Sequence, residues 1–144
     1  MNRDSIQDEI INEFSVFDSW LDKYEHLIGL SETLPPIVPV HRMDLCCIKG
    51  CQSRVWIDAE LRDGKIYFTA DSDTAITKGI ISLLIRVYDG STPEEILNRE
   101  LYFINAIGLG ENLSPTRANG LAAMVRQMKS YAKEFQNGLK TTLL

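Results

Sequence analysis

The stretch Val55-Trp56-Ile57-Asp58-Ala59-Glu60-Leu61-Arg62-Asp63-Gly64-Lys65-Ile66-Tyr67-Phe68-Thr69-Ala70 decides the fold. Val55, Ile57, Ala59 and Leu61 alternate with Trp56, Asp58, Glu60 and Arg62, the period-two pattern of a strand with one buried face. Asp63-Gly64 supplies the positive φ angles of a tight turn, and residues 65–70 run back with Ile66 and Phe68 inward. A lone hairpin is only marginally stable, so a third strand is needed, and residues 43–48 (MDLCCI) are the natural candidate. On that reading Lys49-Gly50-Cys51-Gln52-Ser53 links two strands.

Upstream of the hairpin, Ile6, Ile10 and Phe14 recur at four-residue spacing, as on a helix face. Phe17, Trp20, Leu21, Tyr24, Leu27 and Ile28 continue with a second helical pattern. Pro35, Pro36 and Pro39 then rule out a continuing helix and make an extended connector. Downstream, Asp71-Ser72-Asp73 offers cap residues to a helix over residues 74–88. That helix is apolar nearly all round (Ile76, Ile80, Ile81, Leu83, Leu84, Ile85, Val87), as a central core helix is. Thr92-Pro93-Glu94-Glu95 combines a capping threonine, a first-turn proline and a glutamate at the third position. Ser114-Pro115 opens the last helix in the same way, with Ala118, Leu121, Ala122, Val125, Met128, Ala132 and Phe135 as its buried stripe. No repeat, low-complexity tract or linker interrupts the chain. The expected architecture is one α+β domain, a small three-stranded antiparallel sheet packed on one side by helices.

The 144 residues suffice for one ordinary core, and 44% apolar with 24% charged residues is the composition of a globular protein. A formal charge of −5 argues against general affinity for nucleic acid. The N-terminal run MNRDSIQDEIINEF has no apolar core of a signal peptide. The longest apolar run, residues 79–87 (GIISLLIRV), is far shorter than the roughly 20 residues of a membrane-spanning helix. The expected compartment is therefore the cytoplasm, with reduced thiols and no membrane partner. Three cysteines crowded at 46, 47 and 51 do not make a disulfide framework. They point to thiol chemistry or metal binding.

Gly50-Cys51 is the most informative pair. A cysteine beside glycine in a short inter-strand link can present its sulfur to another protein, and Lys49 and Arg54 favour the reactive thiolate. The same residue also reads as a small core cysteine, and the residues alone leave both readings open. Cys46 and Cys47 point to opposite faces if they lie on a strand. His41, Cys46, Cys47 and Cys51 could together supply metal ligands, although structural zinc draws paired ligands from two separate segments and no second pair exists here. No G-x-S-x-G, phosphate-binding G-x4-G-K-[ST] or H-E-x-x-H motif is present, and Gly108-Leu109-Gly110 follows a helix and makes a poor dinucleotide loop. Neither His26 nor His41 has a spacing that supports a Cys–His nucleophile pair. Asp71, Asp73, Glu94 and Glu95 sit where helix N-termini favour negative charge and read as capping residues.

Lys49-Gly50-Cys51-Gln52-Ser53-Arg54-Val55-Trp56 resembles the GCQS-x-V-W signature of the SufE family of sulfur-acceptor proteins. The likeness continues through Phe68-Thr69-Ala70-Asp71-Ser72-Asp73, Lys78-Gly79-Ile80, Thr92-Pro93-Glu94-Glu95-Ile96 and Leu113-Ser114-Pro115-Thr116-Arg117-Ala118-Asn119-Gly120. It extends upstream from Tyr24 to Leu34-Pro35-Pro36. The resemblance implies a SufE/IscU-like fold, residues 1–144 forming one SufE-like domain, and Cys51 as acceptor of persulfide sulfur from a SufS-type cysteine desulfurase. It implies relay to a SufBCD-type scaffold complex, and no cofactor in this chain, because the pyridoxal phosphate belongs to the desulfurase. Gly50, Gln52 and Ser53 shape the acceptor loop, and Arg117 docks the desulfurase or places the loop.

The implied chemistry is thiol exchange, in which the Cys51 thiolate attacks the outer sulfur of the donor persulfide. A carried persulfide needs protection from oxidants and small thiols, so a loop that opens on docking is expected, with Gly50 as its hinge. Cys46 and Cys47 depart from the family pattern and are expected only to pack. Two rival classes stand beside the carrier: a scaffold or metal-binding module built on His41 and the three cysteines, and a regulatory domain that binds a desulfurase without carrying sulfur.

Overall fold

The computed structural model describes residues 3–34 and 54–138. The hairpin forms as the periodicity predicts. Strand β1 (Val55–Arg62) pairs antiparallel with β2 (Lys65–Ser72) in a register running from Val55 opposite Ser72 to Arg62 opposite Lys65. Asp63 at φ 52° and Gly64 at φ 78° are both left-handed, as a two-residue turn matched to strand twist requires. β2 runs two residues past Ala70, because Ser72 keeps the inward alternation of Ile66, Phe68 and Ala70. The expected third strand, residues 43–48, lies outside the described residues, among which the sheet has two strands.

Among the described residues, the β2 edge of the hairpin is engaged by three bonds and the β1 edge receives one side-chain bond. On β2, the Ile66 N–H donates to Ser91 O at 2.8 Å, the Gly90 N–H returns a bond to Ile66 O at 2.8 Å, and the Phe68 N–H donates to Asp89 Oδ1 at 2.7 Å. On β1, the Tyr131 hydroxyl donates to Ile57 O at 2.7 Å in a buried setting. Tyr131→Phe strips the buried Ile57 carbonyl of this donor and is expected to cost about 1–2 kcal/mol. Denaturant unfolding should show it as a lower midpoint at unchanged slope.

The helices are α1 (Arg3–Ser15), α2 (Trp20–Leu30), α3 (Ala75–Tyr88), α4 (Pro93–Asn98), α5 (Phe103–Ala106), α6 (Leu109–Asn112) and α7 (Pro115–Gln136), with a 3₁₀ turn at Ser31–Thr33. α3 is buried on nearly every side and occupies the centre, touching β2, α1, α2 and α7. α4 begins with the capping box expected from Thr92 and Glu95, and Ser114 caps α7 by accepting from the Arg117 N–H. Burial pushes the Tyr88 phenol up to about 12, opposed by the nearby Arg99 charge.

In α2, which forms within the second helical pattern, Trp20, Tyr24 and Leu27 face the core while Leu21 and Ile28 are 65% and 38% exposed. Two expectations about faces need correction. Ala122 faces solvent, and the inner stripe of α7 instead takes Ala123, Met124 and Tyr131. Trp56 and Asp58, expected outward, are each only 5% exposed. The hairpin is thus buried on both faces near Arg54 and exposed only toward its turn.

α1, α2 and α3 are tied by polar contacts as well as by packing. Glu13 accepts from Arg86 Nη1 at 3.3 Å and meets His26 Nε2 at 2.6 Å, while the His26 ring lies 5.0 Å from both Phe14 and Phe17. Gln7, fully buried, donates to Glu100 O at 3.0 Å and accepts from the Phe103 N–H at 3.2 Å, pinning α1 to the start of α5.

Candidate functional site

Of the residues singled out by sequence, His41, Cys46, Cys47, Gly50, Cys51, Gln52 and Ser53 lie outside the described residues. Arg54 and Arg117 lie within them. Arg54 is where the cysteine-bearing segment enters β1, so its surroundings form the described part of the candidate site.

The backbone of Arg54 is held on both sides by the far end of β2. Its N–H donates to Asp73 Oδ1 at 3.1 Å. Its carbonyl accepts from the Ser72 hydroxyl at 2.8 Å and from the Asp73 N–H at 3.3 Å. Its guanidinium lies over the Trp56 ring, 5.2 Å from the centroid, in cation–π geometry. Strand pairing alone would end at Val55 and Ser72, and these side-chain bonds extend the anchored region to the mouth of the cysteine segment.

The acidic stretch therefore acts differently from a simple helix cap. α3 is capped at Thr74, without a side-chain cap bond. Asp73 is spent on Arg54, while Asp71 accepts from the Ser72 N–H at 2.8 Å and pairs with Lys78 at 3.4 Å. The assignment of Asp71 and Asp73 as capping carboxylates is thereby corrected. Asp73→Ala is expected to loosen the mouth by about 1 kcal/mol, with roughly fivefold faster amide exchange at Arg54, whereas Asp73→Asn keeps an acceptor and most of the protection. Unchanged exchange at Arg54 in Asp73→Ala would show that the carboxylate holds nothing.

Arg117, distant in sequence, is brought to the same corner. Ser114 starts α7 so that the first turn points toward the N-terminus of α3, and Arg117 Nη1 donates to Thr77 Oγ1 at 3.2 Å. Thr77 Oγ1 lies 2.7 Å from Thr74 Oγ1, and the Thr74 N–H points at Ser72 Oγ at 3.4 Å. A run of polar contacts therefore joins Arg117 to the Arg54 carbonyl through Thr77, Thr74 and Ser72. Sequence reasoning missed Thr74 and Thr77 as site residues and read Ser72 and Asp73 only as helix caps. Only the inward alternation reaching Ser72 and the Thr74-x-x-Thr77 spacing hinted at them.

The corner brings Arg54, Lys78 and Arg117 together with the carboxylates of Asp71 and Asp73 and the hydroxyls of Ser72, Thr74 and Thr77. Among the described residues no group of three or more His, Cys, Asp or Glu gathers as a metal site. No helix among them is long and apolar enough to cross a membrane.

Comparison with known proteins agrees with this layout. The family model for SufE, described as the Fe-S metabolism associated domain, matches residues 8–132. An uncharacterised SufE-like protein of Synechocystis is 35% identical over 130 residues, covering 90% of this chain and 82% of that protein. An uncharacterised SufE-like protein of Rhizobium meliloti is 36% identical over 133 residues, covering 88% of this chain and 94% of that protein. The solution structure of a hypothetical protein from Thermus thermophilus superposes with a TM-score of 0.73 at 21% identity, covering 90% of this chain and 94% of that one. This last similarity speaks for the fold.

Proposed function

Because the chain belongs to the SufE family of Fe-S metabolism associated domains, we propose that it accepts a sulfane sulfur on Cys51 from a SufS-type cysteine desulfurase, stimulates that enzyme and relays the sulfur to a SufBCD-type scaffold complex. The observation that supports this most is the two-sided hold on the Arg54 backbone. Cys51 stands three residues before Arg54, and three residues span at most about 11 Å. The cysteine is thus tethered within reach of a fixed corner that holds Arg54, while Gly50 on its far side supplies backbone freedom.

In the transfer step the Cys51 thiolate attacks the terminal sulfur of the donor persulfide. One S–S bond forms as the donor's S–S bond breaks, the donor cysteine leaves as a thiolate, and the proton on the terminal sulfur travels with it. No oxidant is consumed. Lys49 and Arg54 favour the attacking thiolate by charge, Gln52 and Ser53 shape the loop, and Arg117 meets the docked donor or sets the loop's position. The third strand at residues 43–48, one domain spanning residues 1–144 and a cytoplasmic setting that keeps thiols reduced complete the proposal.

The test mixes the protein with a cysteine desulfurase and free cysteine and weighs it under non-reducing conditions. One or more added sulfur atoms, mapped by peptide to Cys51, are expected. Absence of added mass, or its mapping to Cys46 or Cys47 alone, overturns the proposal.

A further inference from the structure

Arg117 is half-buried, yet among the described residues its side chain has a neutral partner only. It makes one hydrogen bond, to Thr77 Oγ1, and no ion pair. A carboxylate in that place would take two of the five guanidinium N–H groups in a forked pair and cancel the charge. A hydroxyl accepts one N–H, fixes the direction of the plane and leaves the charge for an incoming anion.

Thr77 is well suited to that task. It is 5% exposed on the first turns of the central helix, so its backbone does not move independently of the core. Its branched side chain has few rotamers on a helix, and Oγ1 is held further by the 2.7 Å contact with Thr74 Oγ1. The Thr74 N–H lies on Ser72 Oγ, which itself donates to the Arg54 carbonyl. The same hydroxyl relay therefore fixes the arginine and the mouth of the Cys51 segment in one frame.

We propose that Thr77 is a positioning residue for sulfur transfer, orienting the uncompensated Arg117 guanidinium toward an anionic group of the donor. This rests on the reading of Cys51 as acceptor. Thr77 touches no reacting atom and acts only through Arg117.

The test measures single-turnover sulfur transfer from a persulfide-loaded cysteine desulfurase to wild type, Thr77→Val, Thr77→Ser, Arg117→Ala and the double variant Thr77→Val/Arg117→Ala. Thr77→Val should slow transfer by about tenfold, the scale of one hydrogen bond to a charged group, with a melting midpoint within about 2 °C of wild type. Thr77→Ser keeps the acceptor and should transfer within about twofold of wild type. In the Arg117→Ala background, Thr77→Val should have no further effect, a non-additivity that lost packing would not produce. If wild type loads Cys51 while Thr77→Val keeps pace with it, or if the two losses multiply, the positioning role is overturned and the acceptor reading stands. If wild type takes up no sulfur, both fall together.

Discussion

Replacing Cys51 by serine is expected to reduce sulfur uptake from the desulfurase to nothing measurable, the largest functional effect of any single substitution in this chain. The change removes one atom of chemistry and leaves the volume nearly intact. A hydroxyl is not ionised near neutrality, is a poor nucleophile toward sulfur and cannot hold a persulfide, whereas a thiolate attacks sulfur readily. Mass measurement after incubation with desulfurase and cysteine should show sulfur on wild type and none on Cys51→Ser. Cys46→Ala and Cys47→Ala should still load, and failure of either would move the chemistry onto a pair of thiols. The same variant separates the carrier from its rivals. A regulatory domain would still stimulate the desulfurase as Cys51→Ser, while a carrier loses stimulation along with its sulfur. A metal module would bring bound metal through anaerobic purification, and Cys51→Ser would lower that metal content.

How much was legible beforehand followed how local each signal was. The hairpin was readable because strand alternation and the Asp63-Gly64 turn act between neighbours. The Thr92–Glu95 capping box and the Ser114 cap were readable for the same reason, since each is closed within one helical turn. The candidate site lay mostly out of reach because its bonds span the chain. Asp73 meets Arg54 across 19 positions, Ser72 meets it across 18, and Arg117 meets Thr77 across 40. Nothing in a four-residue window tells a capping aspartate from one that clamps a distant backbone, so Asp73 was misassigned. Family resemblance marked Arg117 without its partner. Ala122 was misplaced in the buried stripe of α7, because an apolar residue on a helix states what it tolerates and not which side the core occupies.

The largest structural effect should come from a single methyl group on Gly79, a position in the Lys78-Gly79-Ile80 stretch that no chemistry needs. An alanine Cβ there would stand 2.0 Å from Leu27 O, 2.7 Å from Leu27 C and 3.3 Å from Leu27 Cα. The obstacle is the backbone of α2 itself, which has no rotamer to change, so α2 must move away from the central helix. That movement would loosen the packing of Leu27 against α3 and disturb the Glu13 contacts with His26 and Arg86. Overpacking a core costs about 1–3 kcal/mol when side chains can yield, and backbone crowding belongs at the upper end or beyond. The gain in helix propensity from glycine to alanine returns only about 1 kcal/mol. A net loss of about 3 kcal/mol should lower the melting midpoint by roughly 6–12 °C in a chain of this size. Gly29 on α2 is the control, because a Cβ there meets nothing within 4 Å and Gly29→Ala should be neutral or stabilising. A Gly79→Ala protein melting as high as Gly29→Ala would mean that the two helices do not cross where Leu27 and Gly79 meet. Loss of stability at Gly79 with retained sulfur uptake at low temperature would place this residue wholly in the scaffold, leaving Cys51 and the corner around Arg54 as the working parts.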